Sequence, residues 1–295
     1  MESVEDVEQM YHCTTLLSRM CTNSEIQDTL GEENAVQLLL DKVQYSGLRP
    51  DQRIPFFVAL ASLCHEHERN QIHFRRANGV LLLHNYIENC NACDLVSQVS
   101  FMSAVLNALW SCVVGNVRSE ARWFQLEGVD TLLNLLETCP VILQNQILSL
   151  LSDLCAHPKA VCAMDSWRSA ISVTNATELL LSLYLLEEKR LQVQRPTSGV
   201  LYNMLNPLGR HTSPDEKEDA VSETSTFRDP LAFSRLMEAL AASQTTDVHG
   251  TAQAAVNESD QRLAIYAVLS CMNTKKVTER LSAEVPFLKL FLLFL

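Results

Sequence analysis

The sequence predicts an all-α fold, a right-handed helical solenoid, and three observations carry that expectation. A short motif recurs down the chain: NAVQLLL from Asn34, NGVLLLH from Asn78, EGVDTLL from Glu127 and NATELLL from Asn175, after 44, 49 and 48 residues. Self-similarity at such a period is the signature of repeat architectures. Residues 56–80 also lie on 105–129 without a gap, matching Ala59 with Ala108, Leu60 with Leu109, Phe74 with Trp123, Gly79 with Gly128 and Val80 with Val129. Finally, apolar residues follow each motif at helical spacing. A lone Asn-Gly would suggest a hairpin turn, but its recurrence ahead of apolar runs of helical length marks helix starts.

Each unit reads as three helices. Val105, Leu106, Leu109, Cys112 and Val113 place apolar side chains on one broad face of a long helix. A polar corner at 115–119 follows, then a short amphipathic helix over 120–126. Gly128 breaks the chain before a third helix that turns Val129, Leu132, Leu133, Leu135 and Leu136 inward. No such helix can bury its apolar face alone, and stacking the units supplies one continuous core. The layout is an incomplete first unit from about residue 4, then helices at roughly 51–64, 68–77, 79–89, 95–114, 119–126, 129–138, 141–156, 158–170 and 175–192. Pro50 and Pro158 suit first-turn positions, where the missing N–H costs nothing.

Composition narrows the class. With 295 residues, 47% of them hydrophobic, the chain can bury a sizeable core. Its net charge of −12 argues against a binder of nucleic acid or anionic lipid, and no Lys/Arg run supports a basic groove. The acidic start, with Glu2, Glu5, Asp6 and Glu8, is unlike a secretory leader, so the chain is expected in the cytoplasm. There the cysteines stay reduced, and Cys64, Cys112, Cys155 and Cys271, at matching repeat positions, read as small core residues. The triplets beginning at Asn175 and Asn257 fit the glycosylation pattern but carry no meaning in that compartment.

The repeats occupy 1–195. Residues 196–229 are rich in Ser, Thr, Pro and acids, and lack the apolar surface to repay ordering, so they read as a disordered linker with candidate phosphate acceptors around Ser213 and 222–226. Further helices fill 230–295, among them an amphipathic one over 231–242 and others from about Gln261. The last run, VPFLKLFLLFL, is too short to cross a membrane. It reads as the start of an unfinished repeat, and self-association through 287–295, from Phe287 to Leu295, is expected of so apolar an edge.

Catalytic readings find little support. His65-Glu66-His67-Glu68 places its histidines at i and i+2, on nearly opposite sides of a helix, whereas a zinc protease needs i and i+4. A solvated polar corner is the expected reading. Cys90 and Cys93 form a CxxC, the sharpest metal or redox candidate, but no second CxxC completes a zinc site and the nearest further ligands are His84, His65 and His67. Nucleotide-binding and acyl-transfer signatures are missing from the sequence. The expectation is a protein without catalytic activity, cofactor or metal, binding other proteins.

The order ALWSCVVGNVRSEARWFQLEGVDTLLNLL resembles the armadillo repeat, which implies an armadillo/HEAT-like solenoid over about 14–190, and 262–272 looks like the long helix of a further copy. Within that class, SLCHEH at 62–67, EGVDTLLNLL at 127–136, DLCAHPKAV at 153–161, the segment around Trp167, LYLLEEKRLQVQR at 183–195 and QRLAIYAVLS at 261–270 resemble the C-terminal armadillo region of the cilia- and flagella-associated protein sixty-nine family. The resemblance implies a non-enzymatic scaffold of motile cilia and sperm flagella, at the axoneme. It covers only part of the longer family protein. Importins and catenins clamp peptides with an Asn on the long helix and a Trp one turn earlier. Here the Asn positions hold Arg19, Ser62, Ser111, Asp153 and Ser270, and the Trp position before Ser111 holds Asn107. An importin-style clamp is therefore not expected. Ser62, Ser111, Asp153 and Ser270 become candidate concave-face positions, while Trp110 and Trp123 read as packing aromatics.

Overall fold

The computed structural model describes residues 4–191 and 260–272, apart from 22, 91–94, 96, 97 and 173. Among the described residues the regular structure is helical, with one isolated bridge between Arg168 and Asn175. The chain divides into two compact units, whose described parts are 4–150 and 151–191 with 260–272. The linker over 196–229, the helix expected over 231–242 and the apolar run over 285–295 lie outside the described residues.

The first unit repeats one three-helix set. The first set is α1 (Val4–Met20), α2 (Ser24–Glu32) and α3 (Ala35–Gln44); the second is α4 (Pro50–Cys64), α5 (Glu68–Arg76) and α6 (Gly79–Glu88). The third is α7 (Val99–Val113), α8 (Val117–Gln125) and α9 (Gly128–Thr138), and α10 (Val141–Leu154) opens a fourth. The first set is complete, not partial as its sequence suggested, because Asn23 caps a short helix that the apolar pattern alone hid. Pro50 and Pro158 both stand in helical first turns. The short helix of the third set starts at Val117, earlier than the apolar pattern suggested, since Asn116 is its cap.

Long helix packs on long helix, with α4 lying against both α1 and α7. Leu60 and Leu109, aligned in sequence, are both buried, as is Leu151 in the second unit. Phe57, Tyr86 and Phe101 meet edge to face with centroids 5.5, 5.8 and 5.6 Å apart, and the Tyr86 hydroxyl donates to the Val43 carbonyl at 3.1 Å. One tyrosine thus joins three consecutive sets.

The recurring motif has a backbone reason. Asn34, Asn78 and Glu127 adopt φ of 58°, 59° and 56°, the left-handed conformation that turns the short helix into the third one. The residue after each is squeezed by the short helix. A Cβ at Gly79 would stand 2.5 Å from the Phe74 ring, and one at Gly128 would stand 2.1 Å from the indole of Trp123, both rings being fully buried. Where the second residue is Ala35, the ring position holds the smaller Leu30. Aromatic with glycine, and leucine with alanine, are two solutions of one packing problem.

The second unit holds α11 (Pro158–Ser166), α12 (Ala176–Arg190) and α13 (Arg262–Cys271). The helix expected over 158–170 ends at Ser166. Trp167 turns to extended backbone and is buried, and the Ser169 hydroxyl accepts from the Ile171 and Ser172 amides at 2.9 Å, an alternative to helix that serine readily takes. Asn175 then caps α12: its side chain accepts from the Glu178 amide at 3.0 Å, while the Glu178 carboxylate accepts from the Asn175 amide at 3.1 Å. A buried capping asparagine is a poor glycan acceptor.

Charges hold α13 to α12. Arg262 is fully buried, donating to Asp260 through Nε at 3.0 Å and a terminal nitrogen at 2.7 Å, with Glu188 at 3.8 Å. Glu187 accepts from Arg190 at 2.7 and 2.6 Å and from the Gln261 amide at 3.1 Å. Burial pulls the Arg262 guanidinium down, but the hydrogen bonds and charge of Asp260 outweigh it and hold its pKa above the usual arginine value.

Two outcomes follow. Gly128→Ala should destabilise the chain by about 1–3 kcal/mol through overpacking, and in urea melts Trp123→Leu should recover part of that loss, because the pair then matches Leu30 and Ala35. Arg262→Met should cost about 3–5 kcal/mol by stranding buried carboxylates, read as a lower unfolding midpoint and earlier proteolysis near 260–272.

Candidate functional site

The corners between long and short helices carry most of the first unit's polar chemistry. Each short helix begins with a side-chain cap: Asn23 accepts from the Glu25 amide at 2.9 Å, His67 Nδ1 from Asn70 at 3.3 Å, Asn116 from Ser119 at 3.1 Å, and His157 Nδ1, in the second unit, from Lys159 at 3.2 Å. Asn and His do the same work because each offers a short acceptor. The corner of His65 to Glu68 was expected to be solvated, yet His67 is buried, its Nε2 3.3 Å from Asp28. Glu66 (φ 51°) and Gly115 (φ 82°) make the sharp turn just before these caps.

Consecutive sets are joined at these corners by buried amides. Gln27 Nε2 donates to the Ser62 carbonyl at 2.9 Å and the His65 carbonyl at 3.1 Å; Gln71 Nε2 donates to the Ser111 carbonyl at 3.0 Å. Each glutamine thereby satisfies the end of the next long helix, whose last carbonyls have no partner within the helix. Asn70 donates to the Gln27 and Leu63 carbonyls, both at 2.9 Å, over Gly31, where a Cβ would stand 2.0 Å from the Asn70 amide oxygen. Asn116 donates to Gln71 Oε1 at 3.2 Å.

Above this row the second and third sets leave an open cleft of about 720 Å³. Gln71, Ser111 and Asn116 form its floor, Ile72, Asn107 and the half-buried Trp110 its walls, and Glu66, Glu68 and Arg118 its rim. Amides offer both donors and acceptors, and the indole offers an apolar wall. Such a surface suits a polypeptide segment better than a reaction.

The four candidate concave-face positions have separate fates. Ser111 lines the cleft, its carbonyl held by Gln71. Ser62 is buried, its hydroxyl donating to the Val58 carbonyl at 3.0 Å. Asp153 and Ser270 are half-buried in the second unit, Ser270 donating to the Ala267 carbonyl at 2.7 Å. Trp123 packs fully, against His84, whereas Trp110 faces the cleft and is not purely a packing residue. The glutamine bridge escaped the sequence reading, though Gln27 and Gln71 sit 44 residues apart, the repeat spacing itself.

Cysteine chemistry is confined. Cys90 is half-buried beside a second hollow of about 310 Å³ near Tyr86 and Phe101; Cys93 lies outside the described residues. Among the described residues no three of His, Cys, Asp or Glu come together as a metal would require. Cys64, Cys112 and Cys155 are buried, but Cys271, although it lies beside Cys155, is exposed, contrary to its expected core position. Burial pushes the thiols of Cys139 and Cys155 up to about 12 and Cys21 up to about 11, and that of Cys112 well above its usual value. These groups remain neutral at pH 8 and are poor nucleophiles. With iodoacetamide at pH 8, Cys13, Cys162 and Cys271 should alkylate first and the four raised thiols only on unfolding, as peptide mass mapping would show.

Comparison with known proteins agrees with this architecture. Residues 4–240 match the family described as "Cilia- and flagella-associated protein 69, ARM repeat". The marmoset (Callithrix jacchus) and human (Homo sapiens) proteins of that name are each 26% identical over 198 residues, 66% of this chain and 20% of theirs. The mouse (Mus musculus) protein is 31% identical over 105 residues, 36% of this chain and 11% of its own. The matched region is thus about a fifth of the length of the primate relatives. No helix among the described residues is long and apolar enough to cross a membrane. With the family's armadillo region matched over most of the chain, and its repeats visible as stacked three-helix sets, this protein belongs to the cilia- and flagella-associated protein 69 family of armadillo-repeat proteins.

Proposed function

We propose that this chain is a non-enzymatic armadillo scaffold of motile cilia and sperm flagella, acting in the cytoplasm at the axoneme, where it supports axoneme assembly and motility by holding other proteins. The observation that carries the reading is the family match over residues 4–240. The cleft supports a binding role. Its amide floor is already fixed by bonds between sets, so a bound segment meets Asn107, Trp110 and Ser111 with little further ordering, which favours affinity. Trp110 is the anchor of this site, as aromatics in well-packed pockets are in other interfaces. Ser62 is proposed for the same face in the neighbouring set, and Asp153 and Ser270 for partner contacts of the second unit by itself; the 196–229 segment links the repeats to the later helices, and 287–295 mediates self-association.

Proximity labelling in ciliated cells tests this reading, comparing the full chain with its Trp110→Ala variant. Axonemal proteins should dominate the labelled set. Their labelling should fall at least about tenfold in the variant, the loss expected of a hot-spot residue, while its melting temperature stays close to wild type. A labelled set drawn instead from trafficking or general cytoskeletal machinery would sink the ciliary reading in favour of a cytosolic adaptor. Unchanged labelling by the variant would move the partner away from the cleft.

A further inference from the structure

The short helices of the second and third sets carry a surface that no Lys/Arg run in the sequence announces. On α5, Arg69, His73 and Arg76 stand at i, i+4 and i+7, within about 60° of one another at ~100° per residue. Forty-nine residues on, Arg118, Arg122 and Gln125 take the same places on α8. All six side chains are exposed, and α5 and α8 are in contact. No carboxylate lies in either stripe. Arg69 meets Asp28 at 3.3 Å, but Arg69 is largely solvated and the half-buried Asp28 is shared with His67, so that pair is weak. Glu120, the nearby acid of α8, accepts from the Gly115 amide at 2.8 Å. On α2 the equivalent positions, 44 residues earlier, are Glu25, Thr29 and Glu32, also exposed. The ridge of short helices therefore changes sign between the first set and the next two, in a chain whose net charge is −12.

We propose that the paired stripes of α5 and α8 are a docking surface for an acidic polypeptide segment of a partner protein, one that adjoins the cleft at Arg118 but does not depend on the role proposed for the cleft. Charge complementarity argues for this occupant. Each stripe runs about 10 Å, at ~1.5 Å per residue, and packed helices lie ~8–10 Å apart. A chain in polyproline II conformation, with three residues per turn and ~3.1 Å per residue, places carboxylates three residues apart on one side, about 9 Å from each other, to meet successive arginines. A nucleic acid would carry its continuous charge onto the acidic stripe of α2, which packs beside α5. A membrane surface would want apolar residues beside the arginines, and only Val117 is a large exposed apolar residue on these two helices.

The test uses the full chain and a fluorescent Glu-rich peptide with its glutamates three residues apart, read by anisotropy at low and high salt. The peptide should bind at low salt and weaken as salt rises. Arg69→Glu with Arg122→Glu, neither residue lining the cleft, should weaken binding at least about tenfold, as reversal of paired charges does, whereas Glu25→Lys with Glu32→Lys should leave it equal or tighter. If the double reversal lowers helical content, Arg69→Gln with Arg122→Gln replaces it, with a smaller loss expected. The proposal is overturned if the peptide does not bind, if the reversed chain binds it as well as wild type, or if single-stranded DNA or phosphatidylserine vesicles displace it at equal charge. Each of these outcomes is distinct from any effect of Trp110→Ala.

Discussion

The first unit depends on how the buried ends of its long helices are satisfied. A helix leaves its last carbonyls without intrahelical partners, and stacking the sets removes those groups from water. Gln27 supplies the donor for α4 and Gln71 supplies it for α7, each reaching forward from the preceding short helix. A carbonyl left buried and unpaired costs about 1–3 kcal/mol. The amide row therefore fixes how one set meets the next, and the apolar core of Leu60, Leu109 and their neighbours supplies the bulk of the attraction.

The cleft and the outer faces of the short helices are both arranged around that joint. Because Gln71 and Asn116 are committed to each other, the cleft above them has a rigid polar floor, and Trp110 and Asn107 are held at its wall. Because the short helices must align their inward faces for the glutamines to reach, their outward faces also align, and side chains at equivalent positions form rows. Packing dictates the inner face, leaving the outer one free to carry Glu25 and Glu32 in one set and Arg69 and Arg118 in others. A repeat fold separates stability from recognition in this way.

The second unit solves its junction differently. Its α12 and α13 are held by Glu187, Glu188, Arg190, Asp260 and Arg262, with Arg262 wholly buried. A buried ion cluster adds little net stability compared with a well-packed apolar contact, since desolvation offsets most of the attraction, but it penalises misplacement heavily. Here it sets Glu187 and Glu188 of α12 against Gln261 and Arg262 at the start of α13.

Helix positions and their internal register were legible in the sequence because they rest on local rules: apolar spacing, proline in first turns, and the recurring left-handed residue before Ala35, Gly79 and Gly128. The gapless match of 56–80 with 105–129 placed Phe74 on Trp123 and Gly79 on Gly128, and each pair proves to be one ring pressed on one glycine. Where local rules compete the reading failed, as at 158–170, where Ser169 bonds neighbouring amides and ends the helix early. What only the tertiary structure decided depends on contacts between residues about 40 apart or more: the burial of His67, the cleft opened beside Trp110, the exposure of Cys271 and the contact of α5 with α8. Periodicity names the face on which a side chain lies, but which faces meet and which stay in water is settled only when the sets stack.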